Sequence, residues 1–201
     1  MDVFEAIQGR RSIRNYEDRP VEHEKIGMLL EACRWSPSAG NRQPWEVVIV
    51  DNHETIEKLA HASLDQMWMK TAPLILAVCL NEKMARSTFG DRGEMYALET
   101  IGMAAQNIML AAHSLGLGSC CVTAFEEEEV KYILKCLEII KPVGLITIGY
   151  TRNKLPAPFR EEISSFTYYN SYAEQYRPSW LGITKAGKRM RNKLVESLKK
   201  C

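Results

Sequence analysis

Glu94-Met-Tyr-Ala-Leu-Glu-Thr-Ile-Gly-Met-Ala-Ala-Gln-Asn-Ile-Met-Leu-Ala-Ala-His-Ser-Leu115 is the longest stretch of helical spacing in the chain. Met95, Ala97, Ile101, Ala104, Ala105, Ile108, Met109, Ala111 and Ala112 spread apolar surface around most of its circumference. A helix that is apolar all round belongs in a core or between subunits. Gly116 and Gly118 follow it and suit a C-terminal cap. Beyond them, residues 119–122 form a short strand candidate. Four acids, Glu126–Glu129, stand where the next helix begins, favourable against its dipole. Residues 143–150 are a further strand, followed by a proline-punctuated loop over 154–160. On the other side of the long helix, residues 73–80 form a near-continuous apolar run of strand length, the pattern of a strand covered on both faces. Further back come a helix over 53–64 and a strand over 45–50. A helix over 21–35 carries Ile26, Leu29, Leu30 and Cys33 at helical spacing. Val3, Phe4, Ala6 and Ile7 open the chain with a short helix that stops at Gly9. Helices and strands alternate unevenly, with long helices and few strands, which predicts an α+β sandwich rather than a regular βαβ array.

The chain has 201 residues, 46% hydrophobic and 25% charged, too apolar for disorder and of a length for one main domain with a sizeable core. Lys+Arg 26 against Asp+Glu 25 gives a net charge of +1. That sum hides an asymmetry. Residues 185–201 hold seven basic side chains and one acid, so residues 1–184 keep 19 of the basic and 24 of the acidic residues, a net −5. An acidic body with a basic tail has no global field for nucleic acid. The tail has no aromatic residue after Trp180 on which bases would stack, and no recognisable binding module. Apolar runs fall far short of about 20 residues, so no membrane span is expected. The first residues lack the basic and apolar sequence of a signal peptide. None of the six cysteines forms a C-x-x-C pair, and neither H-E-x-x-H nor C-x-x-C-H occurs, so metal and c-haem signatures are missing. The expected location is cytoplasmic, with reduced thiols.

Two clusters carry candidate chemistry. Arg10-Arg11-Ser12-Ile13-Arg14 places three guanidiniums and a hydroxyl within five residues, a set that can surround a phosphate. Taken alone, the segment reads equally well as a solvated basic turn. Ser36-Pro37-Ser38-Ala39-Gly40-Asn41-Arg42-Gln43-Pro44 combines small residues, which let a ligand approach the backbone, with the polar groups of Ser38, Asn41 and Gln43. Taken alone, it reads as a polar connection. Gly116-Leu117-Gly118 follows a helix and precedes a strand, the reverse of a dinucleotide fingerprint. The histidines do not suggest a base: His23, His53 and His61 fall on polar helical segments, and His113 reads as a satisfied helix residue. Cys120-Cys121 reads as two structural thiols, because a vicinal disulfide is strained.

R-R-S-x-R followed some two dozen residues later by S-P-S-A-G-N-R-Q-P-W resembles the FMN-dependent nitroreductase family. The resemblance continues in Ala72-Pro73, in Ala104-Ala105-Gln106-Asn107, in Leu115-Gly116-Leu117-Gly118-Ser119-Cys120, and in Ile148-Gly149-Tyr150 with the segment 156–160 beyond. These elements follow the family order over about residues 1–162.

The resemblance implies an α+β three-layer sandwich: a central, mostly antiparallel sheet flanked by helices, with FMN at the interface of a homodimer. It implies an FMN-binding domain over 1–166. Residues 167–201 have no clear family counterpart; their own sequence predicts an aromatic and then basic extension, helical and packed on the dimer. Arg10, Arg11, Ser12 and Arg14 would line the phosphate, ribityl and pyrimidine side of FMN. Pro37, Ser38, Ala39 and Asn41 would come from the opposite subunit, with Gln43 nearby. Gln66 falls where the family often has an amide near the flavin. Thr123 and Ala124 fall where it places backbone near the N5 and O4 edge, although many members have Glu-Gly or Gly-Ala there. Arg160 matches a late basic residue that closes on the phosphate.

The implied activity is that of an oxidoreductase in which NADH or NADPH reduces FMN and the flavin reduces a small acceptor such as a nitroaromatic or a quinone, by a ping-pong mechanism. No catalytic side chain beyond the flavin is needed, and Arg14 would stabilise negative charge on the reduced ring. The alternatives are a flavin-binding protein without turnover, a reductive dehalogenase-like flavoenzyme, and an oxygen-dependent flavin-destroying enzyme.

In the tail, Met190, Leu194 and Leu198 form a narrow apolar stripe flanked by cations. Tyr168, Tyr169, Tyr172, Tyr176 and Trp180 precede it. A terminal helix docked on the acidic body is expected. Deleting residues 185–201 should then lower the melting temperature; an unchanged melting curve with an unchanged oligomer would refute docking.

Overall fold

The computed structural model describes residues 1–153 and 155–172. The expected terminal helix, together with Tyr176 and Trp180, lies outside them. The chain divides into two compact units, Met1–Ala157 and Pro158–Cys201. Within the described part of the second unit, Ile163–Ser165 form a 3-10 turn, and the rings of Tyr168 and Tyr172 lie 4.3 Å apart.

The first unit carries six α-helices and four strands among its described residues. Helix α1 spans Val3–Gly9 and opens on a capping box: the Asp2 carboxylate accepts from the Glu5 amide, and the Glu5 carboxylate accepts from the Asp2 amide. Then come α2 (His23–Arg34), β1 (Trp45–Val50) and α3 (His53–Ala62), whose first turn is capped by the Asn52 side chain. They are followed by β2 (Leu74–Asn81), α4 (Glu82–Phe89), α5 (Gly93–Ser114), β3 (Gly118–Val122), α6 (Glu127–Leu134) and β4 (Ile140–Gly149).

The four strands form one fully antiparallel sheet in the order β1-β2-β4-β3. Every residue of β2 from Leu74 to Leu80 is buried. Leu74, Leu76, Val78 and Leu80 pack with Ile146 and Ile148 against α2 and α5, contributing to a core with Leu29, Ile101 and Ile108. Ile75, Ala77 and Cys79 point to the other face, where Leu145 joins Ile56 and Leu59 of α3 and Val130 of α6. Each fully buried aliphatic side chain of this kind stabilises by about 1.5–3 kcal/mol. Two helical layers thus enclose the sheet, giving the three-layer α+β sandwich. No helix among the described residues is long and apolar enough to cross a membrane.

The long helix is less enclosed than its composition suggests. Ala97, Ile101, Ala104, Ile108 and Ala112 are buried, whereas Met95, Leu98 and Met103 are 45%, 40% and 40% exposed. Gly116 adopts φ +76° and ends the helix as expected, but Gly118 is the first residue of β3. Its place is fixed by packing: a Cβ there would lie 2.9 Å from the Ile13 side chain.

Helix α4 has no counterpart in the sequence reading. It is polar, buries Ala85, and starts because the Asn81 side chain accepts from the Met84 amide at 3.1 Å. It rests on α5 at Gly93, where a Cβ would stand 2.1 Å from the Ala85 carbonyl oxygen. Gly93→Ala should therefore cost about 1–3 kcal/mol of unfolding free energy in urea titrations. Gly27→Ala, on α2 with nothing within 4 Å of the new methyl, should instead gain about 0.5–1 kcal/mol. Equal effects of the two substitutions would refute the packing argument.

Candidate functional site

Leaving α1, the chain runs along the free edge of β3. Ser12 bridges Ser119 in parallel, and the Ile13 amide donates to the Ser119 carbonyl at 3.0 Å. Tyr16 pins this segment from beneath: its hydroxyl lies 2.7 Å from both the Ile13 carbonyl oxygen and the Thr147 hydroxyl. Thr147 in turn donates to the Cys120 carbonyl at 3.1 Å. Burial, the largest influence, holds the Tyr16 phenol well above its usual range, so it remains a neutral donor.

The three arginines are thereby spread along the edge. The Arg11 guanidinium turns back on the chain, donating to the carbonyls of Gln8 (2.7 Å), Arg10 (2.7 Å) and Pro156 (3.0 Å). Arg14 is exposed, and its guanidinium lies 5.7 Å from the centroid of the Trp68 ring. Among the described residues, no carboxylate forms an ion pair with Arg10, Arg11 or Arg14. Salt bridges elsewhere join Arg19 to Glu22, Arg34 to Glu31 and Lys58 to Glu54. Burial pushes the Cys120 thiol up, opposed by Arg14, by a hydrogen bond from Ser12, and by Arg10. Burial first, and then Arg11 and Arg10, push His113 below its ordinary value. Cys33, Cys79, Cys120, Cys121 and Cys136 are free thiols, so Cys120 and Cys121 are not bonded to each other.

Beside this edge, Met67–Thr71 form a 3-10 turn. Gln66 precedes the turn and its Nε2 donates to the Ala124 carbonyl at 3.4 Å. Thr123 and Ala124 are exposed just past the end of β3. Arg10, Ser12, Arg14, Gln66, Thr123 and Ala124 are thus held around β3 and one turn.

Pro37, Ser38, Ala39, Asn41 and Gln43 belong to the α2–β1 connection. Helix α5 holds it in place: Asn107 Nδ2 donates to Ser36 Oγ at 2.8 Å, and the Ala39 amide donates to Thr100 Oγ1 at 3.4 Å. The Gln43 amide donates to Ser38 Oγ at 3.1 Å, and Gln43 Nε2 donates to the Asn41 carbonyl at 3.1 Å. Asn41 (φ +55°) and Gln43 (φ +52°) are left-handed, a conformation costly for side-chain-bearing residues. A shallow cavity of about 340 Å³ opens here, lined by Arg34, Trp35, Ser36, Asn41 and Gln43. Among the described residues, no hydrogen bond or ring contact joins this group to the arginine group. Arg160 belongs to the second unit, where its guanidinium donates to the Phe159 carbonyl at 3.3 Å.

The sequence reading missed Tyr16, Thr71, Trp68 and Thr100, which position the site. The usable signal was Gln66-x-Trp68, an amide and an indole on one tight turn. The donor set fits an anionic, planar cofactor: arginines without carboxylate partners among the described residues, a serine hydroxyl, an amide and small-residue backbone.

The architecture and this edge define an α+β cofactor-binding enzyme scaffold. The model of the Nitroreductase family matches residues 7–79 and 62–150, and the chain belongs to that family. It is 34% identical over 154 residues to a Methanothermobacter thermautotrophicus protein provisionally named NADH dehydrogenase/NAD(P)H nitroreductase, covering 75% of this chain and 78% of the relative. It is 26% identical over 188 residues to the FMN reductase [NAD(P)H] of Bacillus subtilis, covering 87% and 76%. The structure of an FMN-dependent nitroreductase from Clostridium difficile superposes with a TM-score of 0.73 at 25% identity, covering 84% of this chain and 99% of that one.

Tyr16→Phe should remove about 1–3 kcal/mol of stability by leaving buried acceptors unpaired. A melting curve unchanged by that substitution would refute the role of Tyr16 as the pin.

Proposed function

We propose that this chain is an NAD(P)H-dependent FMN oxidoreductase of the nitroreductase type that reduces small acceptors such as nitroaromatics or quinones. The observation that carries the reading is the segment Arg10–Arg14 paired to the edge of β3, with no carboxylate ion-paired to its three arginines among the described residues. Bound there, FMN would supply the hydride-transfer chemistry between NAD(P)H and the acceptor, in a ping-pong cycle.

The chain's own residues bind and orient. Arg10 and Ser12 are suited to the phosphate and ribityl side. Arg11 stiffens the segment through its carbonyl contacts, and Arg14 is suited to the pyrimidine end, where a fixed cation favours the negative charge gained on reduction. The Ala124 backbone, steadied by Gln66, and Thr123 would border the reactive edge. Pro37, Ser38, Ala39, Asn41 and Gln43 would meet the same flavin from a second copy in a homodimer. Exposed apolar residues support that pairing: Val3, Phe4 and Ile7 on α1, and Met95, Leu98 and Met103 on α5. Five free thiols among the described residues fit the reducing cytoplasm.

Purified protein should be yellow and release FMN on denaturation, and mixing with NADH or NADPH should bleach the flavin in stopped flow. Arg10→Gln and Arg14→Gln should each weaken FMN binding roughly 10- to 100-fold, the worth of a charge-assisted contact. Flavin that is reduced by dithionite but by neither nicotinamide would replace the enzyme reading with a flavin-binding protein that has no turnover.

A further inference from the structure

We infer that Trp68 is a positioning residue that holds the Arg14 charge in place beside the flavin site without neutralising it, and so sets the preference of the site for reduced over oxidised flavin. The inference rests on the FMN reading above and concerns a residue for which that reading has no role.

Arg14 is exposed and needs something to fix it. A carboxylate would do so, but would cancel the field that makes the cation useful. An indole face attracts the guanidinium through its quadrupole and adds no opposing charge. Arg14 lies 5.7 Å from the Trp68 ring centroid, and no carboxylate pairs with it among the described residues. The ring is itself held: Trp68 is half-buried and packs against Ile13, Tyr16 and Ala72. The Thr71 hydroxyl donates to the Trp68 carbonyl at 2.9 Å, and Thr71 Oγ1 accepts the Tyr16 amide at 3.3 Å. A Lys70–Glu57 ion pair ties the same turn to α3. At the head of the turn, Gln66 reaches Ala124. One short turn thus steadies both the cation and the backbone proposed to border the flavin.

A cation–π contact at an exposed site is worth a roughly two- to fivefold bias in an equilibrium. The test measures Kd for oxidised and for reduced FMN, together with the midpoint potential, in wild type, Trp68→Leu, Trp68→Phe, Arg14→Gln and the Trp68→Leu/Arg14→Gln double variant. Trp68→Leu should lower the preference for reduced FMN two- to fivefold, a fall of about 10–20 mV for a two-electron couple. Trp68→Phe, which keeps an aromatic face, should stay close to wild type. In the Arg14→Gln background, Trp68→Leu should produce no further shift. Three outcomes overturn the inference alone: an unchanged potential in Trp68→Leu, an equal shift in the Arg14→Gln background, or equal weakening of both flavin forms (complete loss included). Failure of the wild-type chain to take up FMN at all overturns the functional reading, and the role of Trp68 with it.

Discussion

Burial of β2 on both faces is the constraint from which the rest follows. A strand with every residue from Leu74 to Leu80 buried requires an apolar layer above and below it and a hydrogen-bonded neighbour on each side. Helices α2 and α5 supply one layer, and α3 and α6 the other. Strands β1 and β4 supply the neighbours, which pushes β3 to the rim of the sheet. An unpaired rim strand is a liability unless something covers it. Here the cover is the segment after α1, bridged at Ser12 and Ser119. The arginines stand where they do because the segment that closes the sheet edge carries them.

The same edge explains how a chain with net charge +1 can hold a concentrated positive site. Many cations among the described residues are ion-paired locally. Glu22 shows what an answered position looks like: hydrogen bonds from Tyr150 and Arg19, with Lys25 nearby, hold its carboxyl down at about 2. Arg10, Arg11 and Arg14 receive no such partner among the described residues. Carbonyls hold Arg11 and an indole faces Arg14, contacts that place the cations without cancelling their charge. Uncompensated charge of one sign in a rigid setting is a form in which stability is traded for binding.

The sandwich was legible in the sequence because its signals were strong and local. The apolar run at 73–80, the 3.6-residue spacing of Leu29 and Cys33, and the Gly116 stop all express burial or backbone conformation in residue type. Helix α4 was not legible, because its stability comes from the Asn81 cap and from the contact of Gly93 with Ala85, neither of which leaves an apolar stripe. The site divided in the same way. Arg10, Arg14, Ser38 and Asn41 announce themselves by type and crowding. Tyr16, Thr71 and Trp68 act through contacts across 50 residues or more, such as the Tyr16 amide to Thr71, and no spacing rule reports contacts of that range.

Helix α5 serves both the core and the candidate site. Its buried row fills the core, Thr100 and Asn107 on its flank grip the 36–43 connection, and Met95, Leu98 and Met103 are partly exposed. A connection holding Asn41 and Gln43 in left-handed conformations persists only if its surroundings determine it, and these two α5 side chains, with the Ser38–Gln43 bond, are that determination. Loosening α5 would therefore relax the connection and shift the apolar row together. In the proposed dimer, where that row meets its copy and the connection meets the flavin, cofactor affinity and subunit association become one coupled equilibrium, since both depend on the placement of a single rigid helix.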